Sequence, residues 1–513
     1  MALIRSIATV GGYTMASRVL GFVRDILIAR GLGTGEMADA FFVAQRLPNL
    51  FRSLFAEGAF NAAFVPLFNR EMAEGGRSAA QRFAEQALSI LLSVLLAFTI
   101  AAQIFMPWLM HVIAPGFTGR PAKMAMAVQF TQITFPYLLF MSLTALQGGV
   151  LNSLGRFAHA AAAPIMLNVT MILALVVVAP KTGLTGLALS WAVAIAGIIQ
   201  FLWMVIACHR AGMALWLPFP RLTAGVKRLL RLMLPGIMGS SVMQVNLLVG
   251  TMVATTQPAA VSYLYYADRI YQLPLAVIGS AVGVVLLPEL ARALRTQGDA
   301  AAIGIQNRSV EYALLLTLPA TVALIAIPDP IVNVLYLRGA FDATAAIATS
   351  WALVSYSIGL PAYVLVKALT PSFFAREDTA TPFRFAMISL GCNIALSITL
   401  FQFLNYAGIA LATALASWLN LGLLSWKLRA RRQLKPDSQL ARNLPKTLLC
   451  SLLMGAALRV GAWALSAPLA GHLFAKAAAL TLLVSGGLAP FFGLALASGT
   501  LGAAELRRML KRA

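Results

Sequence analysis

Long apolar runs, broken by short polar or Gly/Pro-rich links, recur along the whole 513-residue chain. Each run is roughly 20 residues or more, the length an α-helix needs to cross the hydrocarbon of a bilayer. The pattern predicts about fourteen helices, over 5–31, 36–69, 87–113, 125–153, 158–180, 184–208, 229–255, 260–292, 309–336, 346–372, 383–405, 408–429, 445–467 and 475–499. No polar stretch is long enough to form a separate soluble domain. The expected fold is all-α, a polytopic membrane protein. Residues 1–31 read as a retained first helix. Arg18 and Arg24 interrupt what would be the apolar core of a signal peptide, and no clear small-residue cleavage site follows.

Composition agrees with the pattern: 60% of residues are hydrophobic and 11% charged, against roughly 25% charged in soluble domains. The net charge of +22 would point to nucleic acid in a soluble chain. Here it follows the loops, and no nucleic-acid partner is expected. With the N-terminus in the cytoplasm, 26 of the 39 Lys and Arg lie on the cytoplasmic side, 6 on the other and 7 within spans. That asymmetry supports an even number of helices with both termini cytoplasmic. Cys208, Cys392 and Cys450 are far apart with no CxxC, and the four histidines form no HExxH, so neither a disulfide framework nor a metal site is expected.

The chain repeats itself at an offset near 220. AQRLPNL (44–50) parallels ADRIYQLPL (267–275), setting Arg46 against Arg269, and Pro66 then matches Pro288. SLGRFAHAAAAP (153–164) parallels FFAREDTATP (373–382), and TGLALSWAVA (185–194) parallels AGIALATALA (407–416). Four landmarks in register predict two six-helix lobes related by an internal repeat, 1–215 and 225–435, plus a C-terminal helix pair and basic tail, 443–513. Parallel duplication is a common transporter plan, with alternating access about a site near mid-membrane.

Five arginines stand in the runs: Arg18 and Arg24 in the first helix, Arg46 and Arg52 in the second, and Arg269 in the eighth. Facing lipid, each would cost roughly 2.5–3.5 kcal/mol, so they must face protein or a wet cavity. Asp39, Arg46, Ser53 and Glu57 fall on one face of the second helix, with Asn49 near them. On the first helix Arg18 shares a face with Asp25, and Ser17 with Arg24. A bland reading pairs each charge: Asp25 with Arg18, Asp39 or Glu57 with Arg46, and Asp268 with Arg269. It leaves Arg24 and Arg52 without obvious partners. A cationic cavity suits an anionic substrate, and the planar fork of Arg suits phosphate. Lys367 and Arg459 either snorkel or line the same cavity. The basic stretch from Lys427 to Lys446 reads as a loop facing lipid headgroups.

SRVLGFVRDILIARGLG (17–33), ADAFFVAQRLPNLFRSLFAEGAFNAAFVPLF (38–68) and YYADRIYQLP (265–274) closely resemble the MurJ (MviN) family of lipid II flippases, within the superfamily of multidrug and oligosaccharide-lipid exporters. The resemblance extends over essentially the whole chain. It implies a transporter, not an enzyme, in the bacterial inner membrane, moving undecaprenyl-pyrophosphate-linked disaccharide-pentapeptide to the periplasmic leaflet. By motif it implies that Arg18, Arg24, Arg52 and Arg269 are the cavity arginines, with Arg46 at a basic position beside them. Ser17 and Asn49 join them at the substrate, and Asp39, Glu57 and Asp25 serve gating or release. It also implies that the last two helices form an apolar groove for the lipid tail. No cofactor is expected. Membrane potential is a candidate driving force, while MQVNLLVGTMVATT in the seventh helix offers Asn246 but no carboxylate, which speaks against sodium coupling. Membrane lipids and cell-wall synthesis or division proteins are candidate partners. The alternative reading is an exporter of another lipid-linked oligosaccharide, or of a small molecule.

Overall fold

The computed structural model describes residues 2–55 and 59–500, with side chains described outside 2–8, 52–55, 59, 235–243 and 280–285. Glu57 lies outside the described residues, as does the side chain of Arg52. Among the described residues the ordered elements are helical, and the chain divides into two compact units.

The first unit comprises Met1–Ser262 with Arg338–Phe341. It holds α1 (Ala2–Leu32), α2 (Glu36–Phe55), α3 (Ala59–Ile113), α4 (Pro121–Thr134), α5 (Tyr137–Ser153), α6 (Phe157–Leu173), α7 (Ala179–Thr182), α8 (Thr185–Arg210) and α9 (Ala224–Ala254). The link expected at 70–86 is helical. Its Arg70 and Glu74, one turn apart, pair at 2.7 Å, a spacing that supports a helix surface. The bend comes instead at Gly76, whose φ of 70° is open to glycine at little cost. Phe60, Phe64 and Phe68 repeat at helical spacing, and Phe83 from beyond the bend stacks on Phe64 with ring centroids 5.6 Å apart. Gly149 of α5 admits this cluster: a Cβ there would stand 3.0 Å from the Phe64 ring. On the other side of the unit, α1 packs along α6.

The second unit comprises Tyr263–Leu337 with Asp342–Ala513. It contains most of α10 (Ala260–Thr296), then α11 (Asp299–Ala326), α12 (Pro328–Tyr336), α13 (Ala343–Ser357), α14 (Leu360–Phe374), α15 (Ala380–Leu404), α16 (Tyr406–Ala430), α17 (Ser438–Ala464), α18 (Ser466–Ala470) and α19 (Leu473–Ala497). Asp342 and Asp437 cap α13 and α17, accepting from Ala345 N at 2.7 Å and Leu440 N at 2.8 Å, which satisfies otherwise orphaned donors. Leu315, Met454, Leu458, Leu483 and Phe491 join α11, α17 and α19 in one apolar cluster. At one end of it the buried Glu311 accepts from Arg308 and from Asn443 of α17.

Ten helical segments among the described residues are long and apolar enough to cross a membrane, against about fourteen expected.

Candidate functional site

The middle of α1 carries an ordered polar network. Arg24 places Nε and Nη2 on one oxygen of Asp25, at 3.0 and 2.8 Å. Its Nη1 donates to Oδ1 of Asn168 on α6 at 2.9 Å. The Asn168 amide in turn donates to the Ser17 carbonyl at 2.9 Å. Asp25 and Asn168 are buried, while Ser17 is half-buried. Two expectations change. Asp25 pairs with Arg24 rather than with Arg18, and Arg24 has partners that sequence reasoning did not supply. Adjacent residues lie about 100° apart on a helix, and the long arginine side chain spans that angle to reach the neighbouring carboxylate. Arg18 is exposed on α1, with no hydrogen-bond or ion-pair partner among the described residues.

The start of α2 is built differently. Asp39 is fully buried and accepts from Lys123 Nζ at 2.7 Å, Ala259 N at 2.9 Å, Ser262 N at 3.0 Å and Ser262 Oγ at 2.6 Å. It therefore caps the first turn of α10 while neutralising Lys123 of α4. Lys123 also lies 4.1 Å from the Phe117 ring centroid. The pairing of Asp39 with Arg46 does not form. Arg46 is half-buried, and its Nε is enclosed with no hydrogen-bond partner among the described residues. Asn49 is exposed and donates to the Gln45 carbonyl of its own helix at 2.9 Å. Arg52 falls in the last turn of α2.

In the second unit, half-buried Arg269 of α10 stands over the Tyr265 ring at 4.7 Å, within cation–π range. Its neighbour Asp268 accepts from Gln272. One turn on, Tyr271 stacks on Tyr356 at 4.9 Å. Lys367 of α14 lies against Gly279, where a Cβ would come within 3.1 Å of its Nζ. Arg459 donates to the Ala326 carbonyl at 3.0 Å, capping the C-terminal end of α11, where a cation is favoured.

The sequence profile of the family described as "Lipid II flippase MurJ" matches residues 28–475. This chain belongs to the MurJ family. A probable lipid II flippase MurJ of Rhizobium tropici is 47% identical, covering 100% of this chain and 97% of its own length. The lipid II flippase MurJ of Burkholderia cenocepacia is 35% identical, covering 85% of this chain and 86% of its own length. A solved lipid II flippase MurJ in an inward closed conformation shares the fold with a TM-score of 0.77 at 24% identity, covering 95% of this chain and 97% of that one. An inward-facing multidrug-resistance transporter of the MATE family follows at 0.69 and 14%, covering 83% and 98%.

Membership in the MurJ family makes the chain a multi-pass transporter rather than an enzyme. Three buried polar residues escaped the sequence reading, two of them holding the α1 and α2 charges in place. Lys123 sits in the first turn of α4 with 1% of its side chain exposed. Asn168 stands alone among apolar residues in IMLNVT, and a lone amide at that depth was the available signal. Glu311, buried between α11 and α17, gave the same kind of signal.

Proposed function

We propose that this chain flips lipid II from the cytoplasmic to the periplasmic leaflet of the bacterial inner membrane, with its membrane-depth arginines taking the pyrophosphate. Arg18, Arg24, Arg46 and Arg52 of the first unit are the anion-binding groups there, and Arg269 is the corresponding group of the second. Both termini lie in the cytoplasm, in accord with the loop charges. The observation that carries the reading is the Arg24 network: a guanidinium in the middle of α1, held by a buried carboxylate and a buried amide. A guanidinium can meet two phosphate oxygens at once.

Moving the headgroup across hydrocarbon needs no covalent step. The lipid tail stays in the membrane while the site changes its exposure from one side to the other. An inside-negative potential favours export, by about 2.3 kcal/mol per charge per 100 mV. For a doubly charged headgroup that is roughly 4–5 kcal/mol if it crosses the full field. Dissipating the potential is therefore expected to slow turnover in energised vesicles. Turnover indifferent to potential would remove this part of the reading. Asp39 is a latch on the start of α10 rather than a free gating or release group, because Lys123 and Ser262 already occupy its oxygens.

Depletion with complementation tests the function. Cells depleted of the protein are expected to accumulate lipid-linked peptidoglycan precursor on the inside and lyse, and Arg24→Ala or Arg269→Ala is expected not to rescue them. Full rescue by both variants would overturn the arginine reading.

A further inference from the structure

We infer that Asn168 is a positioning residue of the anion site: it fixes the Arg24 guanidinium in the orientation that meets the pyrophosphate. The inference rests on the arginine reading above and goes beyond it by naming what aims the arginine.

The two ends of the amide can be assigned by chemistry. A guanidinium only donates, so the group facing Arg24 Nη1 must be the amide oxygen, and the Ser17 carbonyl only accepts, so the group facing it must be the amide nitrogen. Both bonds are 2.9 Å. The Ser17 hydroxyl adds a longer contact to the same nitrogen at 3.4 Å. Asn168 is 5% exposed, and a buried amide without partners would be costly, so both ends are committed.

Asp25 alone cannot set the direction of the fork. It takes Nε and Nη2 on a single oxygen, Oδ1, and a planar group held at one point still pivots about it. The bond from Nη1 to Asn168 supplies a second anchor, 144 residues away in sequence and on another helix. The anchor is itself tied to the α1 backbone at Ser17, two turns before Arg24, so the fork is referenced to its own helix. Gly21 lies between them on the same face. The position of a Cβ on Gly21 is 3.6 Å from the Asn168 amide nitrogen, so α1 presents no larger side chain where the amide crosses. Unlike Asp25, Asn168 orients the cation without subtracting from its charge.

The test uses the purified full-length chain in nanodiscs, with undecaprenyl pyrophosphate and undecaprenyl monophosphate as probes. Asn168→Ala is expected to weaken pyrophosphate binding about tenfold, the scale of one hydrogen bond to a charged group. Monophosphate binding is expected to fall less, because a lone phosphate can turn to follow the fork, while a pyrophosphate also held by the other arginines cannot. Added to Arg24→Ala, the substitution is expected to cost nothing further. Asn168→Asp, nearly isosteric, retains the packing and is expected to bind pyrophosphate more weakly still, since its carboxylate offsets the Arg24 charge. A role confined to packing would instead lower both affinities equally, add to the loss in Arg24→Ala, and rank Ala below Asp; any of these overturns the inference. An Arg24→Ala protein that binds like wild type overturns the arginine site and this inference with it. A loss in Arg24→Ala with Asn168→Ala unaffected overturns the role of Asn168 alone.

Discussion

Among the described residues, two acid–base pairs of the first unit are largely enclosed by protein, and they are built for opposite ends. Lys123 and Asp39 leave 1% and 0% of their side chains exposed, and the carboxylate also binds two backbone N–H groups and a hydroxyl. Arg24 and Asp25 leave 12% and 6% exposed, and the arginine fork is shared between a carboxylate and an amide. The first pair has all its bonding directions turned to protein, so its energy belongs to the fold. The second is oriented rather than sealed, which is how a cation is kept ready for a ligand. The pairs differ in solvation and geometry more than in charge.

Cutting the sealed pair is expected to give the largest change in stability. Lys123→Met leaves Asp39 buried without its counter-charge, and such truncations cost about 3–5 kcal/mol. Denaturant or thermal unfolding in detergent would measure it, and a loss below 1 kcal/mol would mean that Asp39 is already hydrated. Arg24→Ala is expected to be milder, about 1–3 kcal/mol for the hydrogen bonds it removes, while abolishing transport. The contrast would be lost if Arg24→Ala destabilised the protein as much as Lys123→Met. Arg459→Ala removes an exposed cation from the end of α11 and is expected to cost about 0.3–1 kcal/mol, with transport retained.

The smallest effect is expected at Asp378, between α14 and α15. Burial alone would raise its carboxyl, but the Thr381 N–H and hydroxyl, at 2.9 and 2.7 Å, and Arg431, at 2.7 Å, outweigh that and bring its pKa down to about 2. A depressed carboxylate adds stability above its unfolded value, near 3.9. That contribution is lost as the pH falls through about 2. Asp378→Asn is therefore expected to lower stability slightly at neutral pH, as for other solvent-accessible pairs, and to match wild type at the acid end. A difference that grows on acidification would contradict the assignment.

The helical, membrane-spanning character was legible because hydrocarbon leaves a chain few options: long apolar runs must close their hydrogen bonds within helices. The course of α3 was not. Arg70, Glu71, Glu74 and Arg77 look like a polar link, and only the i,i+4 pairing of Arg70 with Glu74 and the break at Gly76 show two helical arms. The arginines stood out from sequence because charge is rare at that depth. Their partners did not, since Lys123 reaches Asp39 across 84 residues and Asn168 reaches Arg24 across 144. Such contacts follow from how helices pack, which periodicity along one helix does not encode. Neutral amides and hydroxyls, which orient the charges, leave the faintest trace in a hydropathy pattern.

The most direct test of the central claim is translocation of labelled lipid II in proteoliposomes containing the purified chain. Wild type is expected to move the lipid between leaflets, and Arg24→Ala and Arg269→Ala, reconstituted in equal amounts, are expected to stay at the protein-free background. Either variant flipping lipid II at the wild-type rate would contradict the claim that these guanidinium groups carry the pyrophosphate.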